Sequence, residues 1–191
     1  MFKLTLDKNG KATTSETQAL KLKTDTKYYI RELVNPKGTY LNKKVYTVRT
    51  TNDGTTKNRA VRLSTVNKPW RTRISVHKKE TGTNKDLSGA RFTVYRWNGS
   101  KYVTATSVGN NGVITTDSKG EAATGWLYYT KANRGKWRIE ETEAPKGHKN
   151  NHARKDIQIN KDNAKDSEKA PLEWTVDNPL TTEYGYISVQ K

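Results

Sequence analysis

Three stretches of this 191-residue chain end an apolar stripe with a group that can do chemistry. In RISVHK (73–78), period-2 alternation puts Ile74 and Val76 on one face, and Lys78 follows them. In WRIEE (137–141), Trp137 and Ile139 share a face whose next residue is Glu141. In LEWTVDN (172–178), Leu172, Trp174 and Val176 point one way and carry Asn178 with them, leaving Asp177 outward. Taking a lone carboxylate out of water costs on the order of several kcal/mol, so Glu141 must be neutralised, paired or used. An inward amine and an inward carboxamide are what it has to work with. Each residue alone has a plainer explanation. A lysine at a strand end can snorkel to solvent, a Lys–Glu pair can be a simple ion pair, and Asn before Pro is an ordinary strand terminator. Their convergence outweighs those separate explanations.

The elements that must position these residues are strands and turns. Strands are expected at 2–7, 26–32, 44–50, 60–67, 73–79, 90–97, 101–107, 112–116, 135–142, 155–160 and 172–178. Periodicity does not decide between a strand and a helical turn for ETQALKLK (16–23) and TGWLYYTK (124–131), and KDNAKDSEKAP (161–171) reads as loop. Ten Tyr, five Trp and many Val, Ile and Thr favour β-structure, although only 31% of residues are apolar. Short strands punctuated by turn signals predict an all-β, Ig-like sandwich.

The chain also repeats itself. YYIRELVNPKGTYLN (28–42) parallels KWRIEETEAPKGHKN (136–150), and LTLDKNGKATT (4–14) parallels TTDSKGEAAT (115–124). Gly10 to Gly120, Glu32 to Glu141 and Asn67 to Asn178 are offset by 110, 109 and 111 positions. A near-constant offset predicts tandem modules. YISVQK (186–191) then repeats RISVHK. The expected organisation is the latter part of one module over 1–70, a complete module over 72–180, and the first strand of a third over 184–191. The first module carries Glu32 and Asn67 at matching parity, and Lys191 is the corresponding lysine of the third.

Composition removes several alternatives. Without cysteine there is no disulfide framework, thiolate metal site or thiol nucleophile. His77, His148 and His152 show no metal-ligand spacing, so no metal or cofactor is expected. A net charge of +17 raises the question of polyanions. The Lys and Arg are spread along the whole chain with no basic helix or zinc finger, which favours a generic basic surface over specific nucleic-acid binding. No apolar run approaches the roughly 18 residues of a membrane span, and the opening MFKLTLDKNG is no signal peptide.

On these residues the sequence resembles the Cna B-type (SpaA-like, prealbumin-like) domains of Gram-positive pilins and surface adhesins. The family's opening lysine strand, TG turn and L-x-G-A-x-F strand are matched by Lys78, Thr81-Gly82 and LSGARF (87–92). Its E-T-x-A-P-x-G-Y motif stands here as Glu141 to Gly147 followed by His148 in place of Tyr, and its closing asparagine as Asn178. The turn after Lys78 is short; parity selects Lys78 over Lys79. The resemblance implies a spontaneous amide bond between Lys78 and Asn178, assisted by Glu141. Burial favours a neutral, nucleophilic amine and a neutral acid able to polarise the carboxamide and move protons, while folding supplies proximity.

The resemblance further implies a stalk or shaft segment of a cell-wall-anchored extracellular protein or pilus, self-processing rather than enzymatic, with neighbouring modules as partners. A ligand-binding adhesin region contacting host matrix or polyanions is the alternative. A nucleic-acid-binding protein ranks below both. A hydrolase ranks last, since no Ser/His/Asp set or carboxylate pair emerges.

Overall fold

Alternating burial organises residues 71–178. Along β5 (Arg91–Trp97), Phe92 and Val94 are buried between half-exposed or exposed neighbours, and β10 (Lys136–Glu143) buries Trp137, Ile139 and Glu141 in the same rhythm. This is the one-face-in pattern of an antiparallel sheet covered on one side. The computed structural model describes residues 3–14, 22–50, 63–164, 172–181, 188 and 190. It divides into two units, residues 1–35 with 41–67, and residues 36–40 with 68–191.

The second unit holds β3 (Arg71–Thr72), β4 (Ile74–Glu80), β5, β6 (Tyr102–Thr104), β7 (Val113–Thr115), β8 (Glu121–Ala123), β9 (Leu127–Tyr128), β10, β11 (Arg154–Gln158) and β12 (Leu172–Asn178). One sheet runs β11-β10-β5-β6, with β7 also paired to β5; a second runs β12-β4-β8; β3 and β9 form a short pair. Every pairing is antiparallel except β4 with β12, the parallel partners of the second sheet. Ile74, Val76 and Val176 of that sheet and Phe92, Val94, Trp137, Ile139 and Ile157 of the larger one share a single buried core. Phe92 meets Trp174 edge to face, ring centroids 5.9 Å apart, which ties the two sheets together. Among the described residues all regular elements are strands. The fold is the expected all-β, prealbumin-like sandwich.

The turn leading into β8 is built by Asp117, whose Oδ1 accepts from the backbone N–H of Lys119 and Glu121. Gly120 closes it at φ +71°.

The first unit contains β1 (Lys27–Arg31) and β2 (Val45–Arg49), an antiparallel pair with Ile30 opposite Tyr46. Its Asp7–Gly10 turn repeats the Asp117–Gly120 turn: Asp7 Oδ1 accepts from Asn9 and Lys11 N–H, and Gly10 has φ +72°. No apolar side chain among its described residues is buried; Leu4, Leu6, Leu63 and Val66 are exposed.

That exposure explains where the expected strands fail. Residues 3–7 and 63–67 form no strand, and among the described residues nothing covers their alternating apolar side chains. The expected strand at 101–107 stops at Thr104, where the chain turns so that Val108 N–H bonds back to the Ala105 carbonyl at 2.9 Å. Two short strands, β3 and β8, are not among those expected, since two or three residues carry too little alternation to register, and β9 resolves the open segment 124–131 as a short strand.

Candidate functional site

β4, β10 and β12 deliver Lys78, Glu141 and Asn178 to one fully buried site, each 0% exposed. Strand parity does this: each is the next inward position after an apolar pair, Val76, Ile139 and Val176 respectively. The Glu141 carboxyl bridges the other two. Lys78 Nζ lies 3.2 Å from Oε1, and Asn178 Nδ2 donates to Oε2 at 3.1 Å. The Lys78–Glu141 approach is close enough for an ion pair but not aligned as a hydrogen bond. Lys78 Nζ, Glu141 Oε1 and Asn178 Oδ1 consequently all lack a hydrogen-bond partner, three of five such buried side-chain atoms among the described residues. Polar atoms this deeply buried are seldom left unsatisfied unless strain or chemistry accounts for them.

Burial pushes the Lys78 amine below its ordinary value, partly opposed by the charge of Glu141 and more weakly by that of Asp177. Transfer of the lysine proton to Glu141 would replace two buried charges by two neutral groups. The site can therefore present a free amine, a carboxyl group and a carboxamide in mutual reach without water.

Lys79 faces the other way. Its side chain is 24% exposed and its Nζ pairs with Asp86 at 2.8 Å, an oxygen that His77 Nε2 also approaches at 2.9 Å.

Gly120 shapes the site from the β8 side. Its carbonyl accepts from Lys78 N–H at 2.7 Å, and a Cβ at this position would lie 2.5 Å from the Lys78 carbonyl oxygen.

Sequence reasoning missed Glu80 and the use of His148. Glu80 is buried at the end of β4, and its Oε2 lies 3.0 Å from His148 Nε2, the side chains 10% and 9% exposed. The signal was present: extending the β4 alternation past Lys78 by two residues turns Glu80 inward as well.

In the first unit, Asn67 Nδ2 donates to Glu32 Oε2 at 2.6 Å, and the same oxygen accepts from Asn42 N–H at 2.7 Å. Both side chains are half-buried, and Glu32 lines a shallow cavity with Arg31, Leu33, Leu41 and Lys43. The contact parallels that of Asn178 with Glu141. Lys191 lies outside the described residues. No cluster of His, Asp or Glu among the described residues could hold a metal ion.

Residues 72–171 match the family model of the SpaA prealbumin-like fold domain. Among solved structures, the TIE protein of Bacillus anthracis is similar at 22% identity with a TM-score of 0.58, covering 81% of this chain and 25% of that one. A streptococcal ancillary pilin is similar at 21% identity and a TM-score of 0.46, covering 82% of this chain and 42% of that one. The full-length major pilin SpaD of Corynebacterium diphtheriae is similar at 19% identity and a TM-score of 0.47, covering 59% and 31%. The chain thus spans less than half the length of each of these structures. No curated protein matches its sequence significantly.

Proposed function

The chain belongs to the SpaA family of prealbumin-like domains, and from that premise we propose that residues 72–180 are a structural module of a Gram-positive surface protein or pilus, locked by an amide bond between Lys78 Nζ and Asn178 Cγ. The observation that carries this reading is the Glu141 carboxyl, fully buried between an amine at 3.2 Å and a carboxamide at 3.1 Å. A site built only for stability gains little from this arrangement. A buried ion pair seldom outperforms apolar residues of the same volume.

The step balances without a cofactor. Lys78 gives its ammonium proton to Glu141, and the neutral amine attacks Asn178 Cγ. The protonated Glu141 hydrogen-bonds to the carboxamide and polarises it, hands that proton to the departing nitrogen, and takes up the second proton that the attacking Nζ loses. The Cγ–Nδ2 bond breaks, a Cγ–Nζ bond forms, and one ammonia leaves. Positioning by the fold supplies what free amine and amide lack in solution, since well-oriented intramolecular reactions reach effective molarities of about 10⁵ M or more. Each chain reacts once, so the module processes itself and turns over no substrate.

The product ties the first long strand of the module to the last, in a chain that has no cysteine to do so. Its setting is extracellular, in a wall-anchored protein, with neighbouring modules of the same protein or pilus as partners. In sequence, 1–70 repeats the latter part of this module and 184–191 repeats its opening, YISVQK against RISVHK.

Intact-mass analysis tests the reading. The folded protein should weigh one ammonia less than its sequence, and a tryptic digest should yield a branched peptide joining Lys78 to Asn178. A folded sample at full sequence mass would overturn it.

A further inference from the structure

The turn after β10 and the chain leaving β12 are held by three backbone hydrogen bonds. His148 N–H donates to the Pro145 carbonyl at 3.0 Å, Lys149 N–H to the Pro179 carbonyl at 2.9 Å, and Thr181 N–H to the Gly147 carbonyl at 2.8 Å. The earlier Pro-Lys-Gly turn at 36–38 makes the same set: Thr39 N–H to Pro36 at 3.2 Å, Tyr40 N–H to Lys68 at 2.9 Å, and Trp70 N–H to Gly38 at 2.7 Å. The isolated bridges match as well, Thr39 with Pro69 and His148 with Leu180. Turn residues correspond at an offset of 109 and strand-end residues at 111, the offsets that relate Glu32 to Glu141 and Asn67 to Asn178. Gly38 has φ +84° and Gly147 φ +79°. One backbone motif is built twice.

The two copies differ in what lies over the glycine. Residues 36–40 belong to the second unit, together with 68–191. Gly38 is buried there, and a Cβ on it would run into the Tyr129 ring. That ring is backed by Gly135, where a Cβ would lie 2.7 Å from it, and it meets Trp70 edge to face with centroids 5.9 Å apart. Tyr129 N–H also donates to the Trp70 carbonyl at 2.8 Å. Gly147, by contrast, is exposed, and among the described residues no atom beyond its chain neighbours lies within 4 Å of the place a Cβ would take. Leu180, at the position of Pro69, is 59% exposed. Lys149 and Thr181 stand where Tyr40 and Trp70 stand in the first copy. Five residues beyond Thr181 the sequence reopens with YISVQK, the repeat of the RISVHK strand that follows Trp70.

We propose that Gly147, His148, Leu180 and Thr181 form the seat for a following module of the same kind, one of whose aromatic side chains closes over Gly147 as Tyr129 closes over Gly38. This rests on the reading of the chain as successive modules. Glycine serves the seat twice. It accepts the positive φ of the turn, and its missing side chain lets a flat ring lie directly on the backbone. An aromatic ring covers the exposed Leu180 and the turn together, and its polar end can still reach solvent. Thr181 in place of Trp70 removes the edge-to-face partner, so this seat holds its ring less tightly than the first.

The test extends the chain past Lys191 with residues 79–180 of its own sequence, so that YISVQK opens the added module. Amide exchange is followed at 147–149 and 179–181, and intact mass reports ammonia loss. Exchange at these residues should slow by up to about tenfold relative to the unextended chain, the scale of one aromatic contact. Tyr129→Ala confined to the added copy should restore the faster exchange. In the unextended chain, Tyr129→Ala should speed exchange at 38–40 while β10 stays protected; no change there overturns the proposal without recourse to the added copy. Unchanged exchange at 147–149 and 179–181, in an extended chain that has lost two ammonias, overturns the seat and leaves the modules standing. Protection that arises in the unextended chain as its concentration is raised would put a second molecule on this face, and overturns the assignment too. If no ammonia leaves either copy, the amide-bond reading fails, and the exchange comparison still decides the seat.

Discussion

Gly120 lies against the backbone of Lys78, close enough that a single added methyl would sit 2.5 Å from the lysine carbonyl oxygen. Its φ of +71° is also one that L side chains rarely adopt. Gly120→Ala should therefore cost about 1–3 kcal/mol through strain and displace the strand that presents the amine. The expected outcome is a lower Tm together with slower ammonia loss on refolding. An unchanged Tm would show that the close approach is not a constraint.

Replacing Glu141 by Gln should leave the module folded but uncrosslinked. A crosslink spanning about a hundred residues stabilises by roughly 4–5 kcal/mol in the chain-entropy treatment used for disulfides, so the variant should melt earlier and be cut faster by protease. Full ammonia loss from Glu141→Gln would remove Glu141 from the proton-transfer role.

Lys78 and its neighbour Lys79 make a built-in control. Lys78→Met keeps the buried volume and deletes the nucleophile, so the mass should return to that of the sequence. Lys79→Ala should still lose ammonia, because Lys79 points outward to Asp86; its effect on stability should stay within about 1 kcal/mol, as for exposed ion pairs. A branched peptide containing Lys79 in wild type would reverse the assignment.

Asn178→Ala keeps Lys78 and Glu141 but cannot crosslink, which exposes the energetics of the buried amine. Burial lowers the Lys78 value from 10.5, so the unfolded chain binds this proton more tightly than the folded one. Stability should rise with pH between the folded value and 10.5, and level off above it. Urea titrations of Asn178→Ala against Lys78→Met/Asn178→Ala should diverge in that window, and parallel curves would contradict the lowered value.

In the first unit, a lysine strand docked on the exposed apolar residues beside Glu32 and Asn67 could complete the same chemistry. The 184–191 segment, from a neighbouring molecule or the same one, repeats the lysine strand in sequence and would bring Lys191. Denaturing gels should then show ladders or a compact cyclised band that Lys191→Ala abolishes. Loss of a single ammonia from a strictly monomeric species would leave Glu32 and Asn67 unreacted.

Alternation made the second unit legible, because its strands are covered on one face and their sequences record it. The inward facing of Lys78, Glu141 and Asn178 could be read from Val76, Ile139 and Val176 alone. The first unit misled for the converse reason: Leu4, Leu6 and Leu63 alternate as a strand does, yet among the described residues they stay exposed and form no strand, and pattern without burial makes no sheet. The Glu80–His148 contact escaped notice because it joins residues sixty-eight positions apart, and neither side chain ends a long apolar stripe. Its geometry depends on the turn after Pro145, which periodicity does not describe.

The parallel pairing of β4 with β12 has a consequence for length. The chain enters the pair at Ile74 and leaves at Asn178, at opposite ends of strands seven residues long, a span of about 23 Å at ~3.3 Å per residue. Unravelled, the residues between Lys78 and Asn178 would release on the order of 330 Å of contour length. With the proposed bond in place, the shortest covalent route crosses from β4 to β12 through the lysine side chain, and that slack is never on the path between the ends. Under tension such a module behaves as an inextensible link, whose length is set by a few residues of strand and one amide.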